Sequence, residues 1–241
     1  MHPIVAKILA HNKEHKLRFD AEKHQYQMYT DFILTSVTRK ISRFFPFDKE
    51  AALEAVAAKF SVTEEEVQAS WDKIRDRGTY IHDLAERYCM AEELSTDELS
   101  EIENVVKFFE DHPEFEVAGA EVKVFSKKYY VGGTIDCILI DSKTGKLVLL
   151  DWKTSAKDIE KTQYYSMALP PFNTFPNNKF YSYSLQINSY AHILDQEYGI
   201  GISELLIVHL KDDGSYAIIE PILCDAEVEQ MLSMKKSDMN Q

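Results

Sequence analysis

The chain has 241 residues, 45% of them apolar and 28% charged, with a formal net charge of −13 at pH 7. Those proportions fit one soluble globular domain, or one domain with an appendage, and no apolar run approaches the roughly 18–20 residues needed to span a bilayer. The acidic excess argues against a protein that coats nucleic acid, since phosphate neutralisation supplies most non-specific affinity, but it leaves room for a local basic groove beside an acidic site.

The opening stretch, MHPIVAKILAHNKEHK, has too short an apolar run and no small-residue cleavage pattern, so no secretion signal is expected. Cys89, Cys137 and Cys224 are widely scattered and form no CxxC pair. They exclude a four-cysteine zinc or iron–sulfur site within the chain and point to a reducing compartment.

LRFDAEKHQYQMYTDFILTS alternates and is rich in aromatics, which predicts a small β-hairpin. A short helix follows from Ser36 (SVTRKISRFF) and stops near Pro46, and Asp48 caps a second over AALEAVAAKF. Thr63 and Glu66 have capping-box spacing, in which hydroxyl and carboxylate each satisfy a free backbone N–H. They open a long helix through WDKIRDRGTYIHDLAERYCM. Ser95 and Glu98 open another, which must end before Pro113.

The pattern then turns to β structure in EVKVFSK, VGGTIDCILI and KLVLLDWKT, the last two joined by the turn residues Asp141 to Gly145. Residues 155–180 read as a proline-containing loop. The helix YSLQINSYAHILDQEYG ends near Gly199. ELLIVHLKDD and SYAIIEPIL form a hairpin with Asp213-Gly214 at its tip, and a last helix starts near Asp225. This order predicts an α/β protein with a mixed central sheet flanked by helices. Residues 1–62 form an N-terminal hairpin and helical extension, and residues 63–241 the core.

The sharpest inference concerns two aspartates. If a four-residue turn covers Ser142 to Gly145, Asp141 pairs with Lys146. Asp136 lies five residues before the one and Asp151 five after the other. The two therefore face each other and project to the same side, with Cβ atoms roughly 4.5–5.5 Å apart. Lys153 shares that face because strand side chains alternate with period two. Opposed like charges in strands this apolar destabilise unless a cation accepts both. Hard oxygen ligands suit Mg²⁺ or Mn²⁺, and the lysine then orients a water or stabilises charge on an attacked phosphate. The bland alternative is a surface hairpin whose aspartates face solvent.

Other residues fit the same picture. His82, in a helix with Glu86 on the same face, is either a partly exposed surface histidine or a third ligand that favours Mn²⁺. Gln186 and Tyr190, four apart on a helix, are either plain surface or aids to the site, the glutamine bonding a phosphate or base edge and the tyrosine orienting the lysine. Glu121 reads better as a solvated strand carboxylate than as a ligand acting through water. Arg39, Lys40 and Arg43 follow Ser36 and Thr38 at a helix start able to bind phosphate. Tyr164, Tyr165, Phe172, Phe175, Lys179, Phe180, Tyr181 and Tyr183 bracket the long loop, a mixture suited to stacking bases or to packing.

In order and spacing, GTYIH, GGTID, DWK and QINSY resemble the RecB-like branch of the PD-(D/E)XK nucleases over about residues 75–220. The early TSVT resembles the SVT segment of mitochondrial genome maintenance exonucleases and related phage proteins. The resemblance implies a restriction-endonuclease-like core, a metal site from His82, Asp136, Asp151 and the Trp152 carbonyl, and a catalytic Lys153 supported by Gln186 and Tyr190. Ser36, Thr38, Arg39, Gln186 and Tyr190 would touch substrate. Asp151 stands where many members carry Glu, and the cysteines that hold an iron–sulfur cluster in some relatives are missing, so that cofactor is not expected.

The implied activity is Mg²⁺- or Mn²⁺-dependent hydrolysis of DNA, by an exonuclease acting on single strands or ends. Its setting would be replication, recombination or repair in the cytoplasm of a bacterium or a virus-infected cell, with proteins of those processes as partners and no membrane. The alternatives are a structure-specific endonuclease and a non-catalytic binding module on a nuclease fold.

Overall fold

A computed structural model describes residues 2–23, 25–30, 32–155, 157–162 and 166–234. The chain opens with a helix, α1 (Pro3–Glu14), in a stretch to which the sequence reading assigns no element. Its signal was legible: Val5, Ile8 and Asn12 recur at helical spacing and are the residues it buries, with His2 as N-cap and Pro3 in the first turn. The aromatic stretch that follows is not one hairpin but a three-stranded antiparallel meander, β1 (Arg18–Asp20), β2 (Gln25–Met28) and β3 (Phe32–Ser36).

Helix α2 (Val37–Ile41) is shorter than expected, and α3 (Lys49–Phe60) is capped by Asp48. Both capping boxes form, opening α4 (Glu64–Cys89) and α5 (Thr96–Glu101). The single helix expected before Pro113 is instead broken at Ile102, whose backbone leaves helical geometry while its side chain is fully buried. The break re-aims α6 (Glu103–Asp111), placing Val105 and Phe108 in one core cluster with Trp152.

Strands β4 (Phe115–Ser126), β5 (Val131–Asp141) and β6 (Leu147–Thr154) lead to α7 (Lys179–Tyr198), β7 (Glu204–Leu210), β8 (Tyr216–Ile219) and α8 (Asp225–Ser233). Among the described residues the eight strands make one mixed sheet. β3–β5 and β6–β7 are parallel; the other pairs are antiparallel. Both faces of the central strands are buried, and alternation sorts them. Cys137, Leu139, Val148, Leu150, Trp152, Leu206 and Val208 pack with α4 and α6, whereas Ile138, Leu149 and Ile207 pack on the side of α7 and α8. The architecture is therefore α/β with helices on both faces. The N-terminal 62 residues join the same sheet through β3 and the same core through Val5, Tyr26 and Leu34. Among the described residues no helix is long and apolar enough to cross a membrane.

One feature of the sheet positions the candidate site. Strand β4 runs along one edge of β5 for its full length, so β3 and β6 must share the other edge. β3 pairs only at Val131 and Gly132, and β6 only from Cys137 to Ile140. Residues 133–136 lie in the gap where the two neighbours part.

Candidate metal centre

The β5–β6 register is the one the turn demands. Cys137 pairs with Leu150 and Ile140 with Leu147, while the Asp141 N–H donates to the Lys146 carbonyl at 2.9 Å. Asp136 and Asp151 are next in line, and their parity puts both on the α7 side. Regular pairing stops one step short of them, however. At the gap the Trp152 N–H donates 2.9 Å to the Asp136 carboxylate (Oδ2) in place of a ladder partner. The two aspartates thus part company. Asp136 turns into the gap, and Asp151, 2% exposed, faces α7.

His82 reaches Asp136 from α4, with Nδ1 3.5 Å from Oδ2. Gly78, one turn earlier, eases this approach: a Cβ there would lie 2.9 Å from Thr154 Oγ1, so a larger residue would force that side chain to shift where α4 crosses the end of β6. From the other side comes Glu121. Its flanking residues, Ala120 and Val122, pair with Cys137 and Ile135, which puts Glu121 opposite Asp136. It has a φ of 47°, a left-handed conformation rarely held by a non-glycine residue unless its surroundings enforce it. Ligand atoms of His82, Glu121 and Asp136 lie within 4.8 Å of one another. Glu121 is not the solvated strand carboxylate expected from sequence. Its strand position alone was legible; the bulge after Val117 and the backbone twist that aim it inward were not.

The electrostatics match a site built for added positive charge. Burial pushes Glu121 up to about 8, with Asp136 and Glu86 adding to the effect. Burial likewise raises Asp136, against the pull of Lys153 and the Trp152 N–H. His82 is held neutral, pushed down to about 4 by burial and then by Lys153, so a ring nitrogen keeps its lone pair. Carboxylates whose proton affinity is raised by burial are those a divalent cation would relieve, and a set of two carboxylates and one imidazole fits Mg²⁺ or Mn²⁺.

Beside this cluster lies a second arrangement. Asp151 Oδ2 is 2.5 Å from Lys153 Nζ and accepts no other contact among the described residues. Gln186 on α7 ties the pair together: its Nε2 donates to Asp151 Oδ1 at 3.3 Å, and its Oε1 accepts from Lys153 Nζ at 3.4 Å. The ammonium also sits 4.6 Å from the centre of the Tyr183 ring. Burial raises Asp151 to about 6 despite its lysine. For Lys153 burial acts downward, but Asp151 and Asp136 outweigh it and leave the amine above its ordinary value. The lysine is charged and held on three sides.

Tyr190 does not orient Lys153 directly, as its helix position had suggested. It is buried against Gly133, where a Cβ would fall 2.5 Å from Cε1, and its hydroxyl faces Gln186 rather than the lysine. Tyr183 has the contact instead. Ser36 and Thr38 do approach the centre: with Tyr26, Glu121, Gly133 and Tyr190 they line a cavity of about 340 Å³. Arg39 is exposed and outside it, its N–H capped by Ser36 Oγ at 3.1 Å. With α2 only five residues long, the phosphate-binding helix start foreseen there is too short to serve. Lys40 leaves the expected basic cluster altogether, turning inward to donate to the Leu232 carbonyl at 2.5 Å, and burial pushes it down to about 8.

Of the aromatic residues considered for stacking, Phe172 and Phe180 are core, and Phe175 and Tyr181 pack against each other. Tyr164 and Tyr165 lie outside the described residues. A second His/Glu cluster, His11 and Glu14 on α1 with its C-cap His15, already has partners: His11 meets Glu197 at 3.1 Å, and His15 meets Lys127 at 3.1 Å. No known family model matches this chain, and no curated protein matches it.

Proposed function

We propose that this chain is a metal-dependent nuclease that hydrolyses phosphodiester bonds in DNA, as an exonuclease working on single strands or ends during replication, recombination or repair. One observation carries the reading. Asp136 occupies a break in the sheet between His82 and Glu121, while a charged lysine stands beside it on Asp151 and Gln186. Carboxylates drawn out of water far enough to raise their proton affinity have no structural use for which apolar residues would not serve better.

His82, Glu121 and Asp136 would hold the cation, with Asp151 and the Trp152 carbonyl adjoining. Bound there, a divalent ion supplies Lewis acidity, lowering the pKa of a water and drawing charge from a phosphate oxygen. Lys153 directs its ammonium at the charge that develops on the phosphate, in a site where low dielectric magnifies the contact. Gln186 and the Tyr183 ring fix that ammonium before substrate arrives, so no reorganisation is spent at the moment of reaction. The cavity bounded by Ser36, Thr38 and Tyr190 opens on Glu121 and supports a role in seating the nucleotide next to the cleaved bond.

The test is cleavage of end-labelled single- and double-stranded DNA with and without Mg²⁺ or Mn²⁺, read as a product ladder. Lys153→Ala should lower the rate by about 100- to 1,000-fold, the cost of losing one preorganised charge donor. Undiminished turnover in that variant, or cleavage that persists in chelator, would refute the reading.

A further inference from the structure

In a chain with 27 basic and 40 acidic residues, one groove reverses the balance. It runs between α1 and the bulged half of β4 and encloses about 700 Å³. Lys13, Lys16, Arg18 and Lys123 line it against a single carboxylate, Glu121. Lys13, Lys16 and Arg18 are exposed, and none of the three forms an ion pair among the described residues. Lys123 leans over the Phe19 ring at 5.9 Å. The floor beneath them is apolar, formed by Val5, Leu17 and Val122 among others.

This groove is continuous with the metal centre. It shares Glu121 and Lys123 with the smaller cavity that holds Ser36, Thr38 and Tyr190, so the two depressions meet at the acidic cluster. We propose that the α1–β4 groove is the track of a single-stranded polynucleotide running to or from that centre, a proposal that rests on the nuclease reading. Phosphates would lie against Lys13, Lys16, Arg18 and Lys123, and sugars or bases against the apolar floor. Four cations around an apolar floor, in a groove that meets a centre suited to phosphodiester chemistry, match a polymer with one negative charge per unit and hydrophobic faces between them. The groove also resolves how so acidic a chain holds a polyanion: the contact is local, and the surplus negative charge sits elsewhere.

The experiment is fluorescence anisotropy with a labelled 20-nucleotide single strand, Ca²⁺ replacing Mn²⁺, across a series of salt concentrations. A variant with Lys13→Glu, Lys16→Glu and Arg18→Glu should bind at least tenfold more weakly. Its log–log salt slope should fall by about 2, since each single-strand phosphate contact contributes about 0.7. The corresponding Gln substitutions should lower the slope equally with a smaller loss of affinity. A control with Lys107→Glu, Lys143→Glu and Lys146→Glu carries the same net charge on exposed positions away from the groove and should bind as the wild type does.

If variant and control bind alike, the track is wrong while wild-type cleavage of DNA keeps the nuclease reading intact. If the wild type neither binds nor cuts nucleic acid, both fall. Poly-glutamate binding with the same slope and the same sensitivity to the three changes would replace the polynucleotide by an acidic peptide and overturn the proposal.

Discussion

Strand β5 carries two aspartates five residues apart, and they have opposite fates. Asp141, at the turn, is surrounded by donors: the Lys143 N–H at 2.8 Å, the Thr144 N–H at 3.2 Å and the Thr144 hydroxyl at 2.8 Å. Those bonds, the Thr144 hydroxyl foremost, hold its carboxyl below the ordinary range. Asp136 has one backbone donor among the described residues and lies half-buried beside Glu121, so withdrawal from water drives its proton affinity up. The same side chain on the same strand is a structural element at one end and, in the proposed reading, a ligand at the other. What differs is the count of donors against the depth of burial, and that balance sets the opposite directions in which the two carboxyls are shifted.

The strongest test of that contrast is Asp136→Asn. The amide oxygen can still accept from the Trp152 N–H, but the charge is gone. Cleavage should fall by more than about 100-fold, beyond the 10- to 100-fold cost typical of residues that merely support a metal ligand. The melting temperature of the metal-free protein should hold or rise, because a desolvated charge has been removed. A large drop in that temperature would mean Asp136 stabilises the fold as Asp141 does.

A second effect is set by protons. Glu121 stands at about 8 and Asp151 at about 6, against ordinary values of 4.5 and 3.8. The unfolded chain sheds these protons first, so the stability they carry is complete below about pH 4 and is lost as pH rises through 6 to 8. Metal-free wild type should therefore lose melting temperature relative to Glu121→Gln between pH 5 and 8. Saturating Mn²⁺ at pH 7.5 should reverse the order, adding about 2.7 kcal/mol to the wild type at a hundred times its Kd. Parallel pH curves for the two proteins, with and without metal, would remove Glu121 from the centre.

The smallest effect belongs to the other end of the strand. Asp141→Ala should leave metal affinity and cleavage as they are. Because the Asp141 carboxyl is held low, the loss of stability should appear at neutral pH and vanish as pH falls through the range where a carboxylate takes up its proton. Thermal melts at pH 7 and pH 3 would check this, and any loss of cleavage would blur the distinction between the two ends.

Much of the centre was legible because short-range chemistry encodes it. The turn from Ser142 to Gly145 sets the β5–β6 register, and period-two alternation then places Asp136, Asp151 and Lys153 on one side without any knowledge of the rest of the molecule. Thr63 with Glu66 and Ser95 with Glu98 fix two helix starts in the same local way. Glu121 was misjudged because a strand carboxylate reads as solvated until a bulge and a left-handed φ, both set by packing, turn it inward. Lys40 was misjudged for a related reason: a lysine among basic neighbours reads as surface until α8 closes over it.

Sequence by itself therefore determined parity, caps and turn register, all of which depend on contacts within a few residues. Only the tertiary structure decided that β3 and β6 share one edge of β5 and part at residues 133–136, that α4 crosses at Gly78 to deliver His82, and that Tyr183 rather than Tyr190 cradles the lysine. These meetings join segments tens of residues apart. They are selected by how whole faces pack, and a pattern of neighbouring residues does not carry that information.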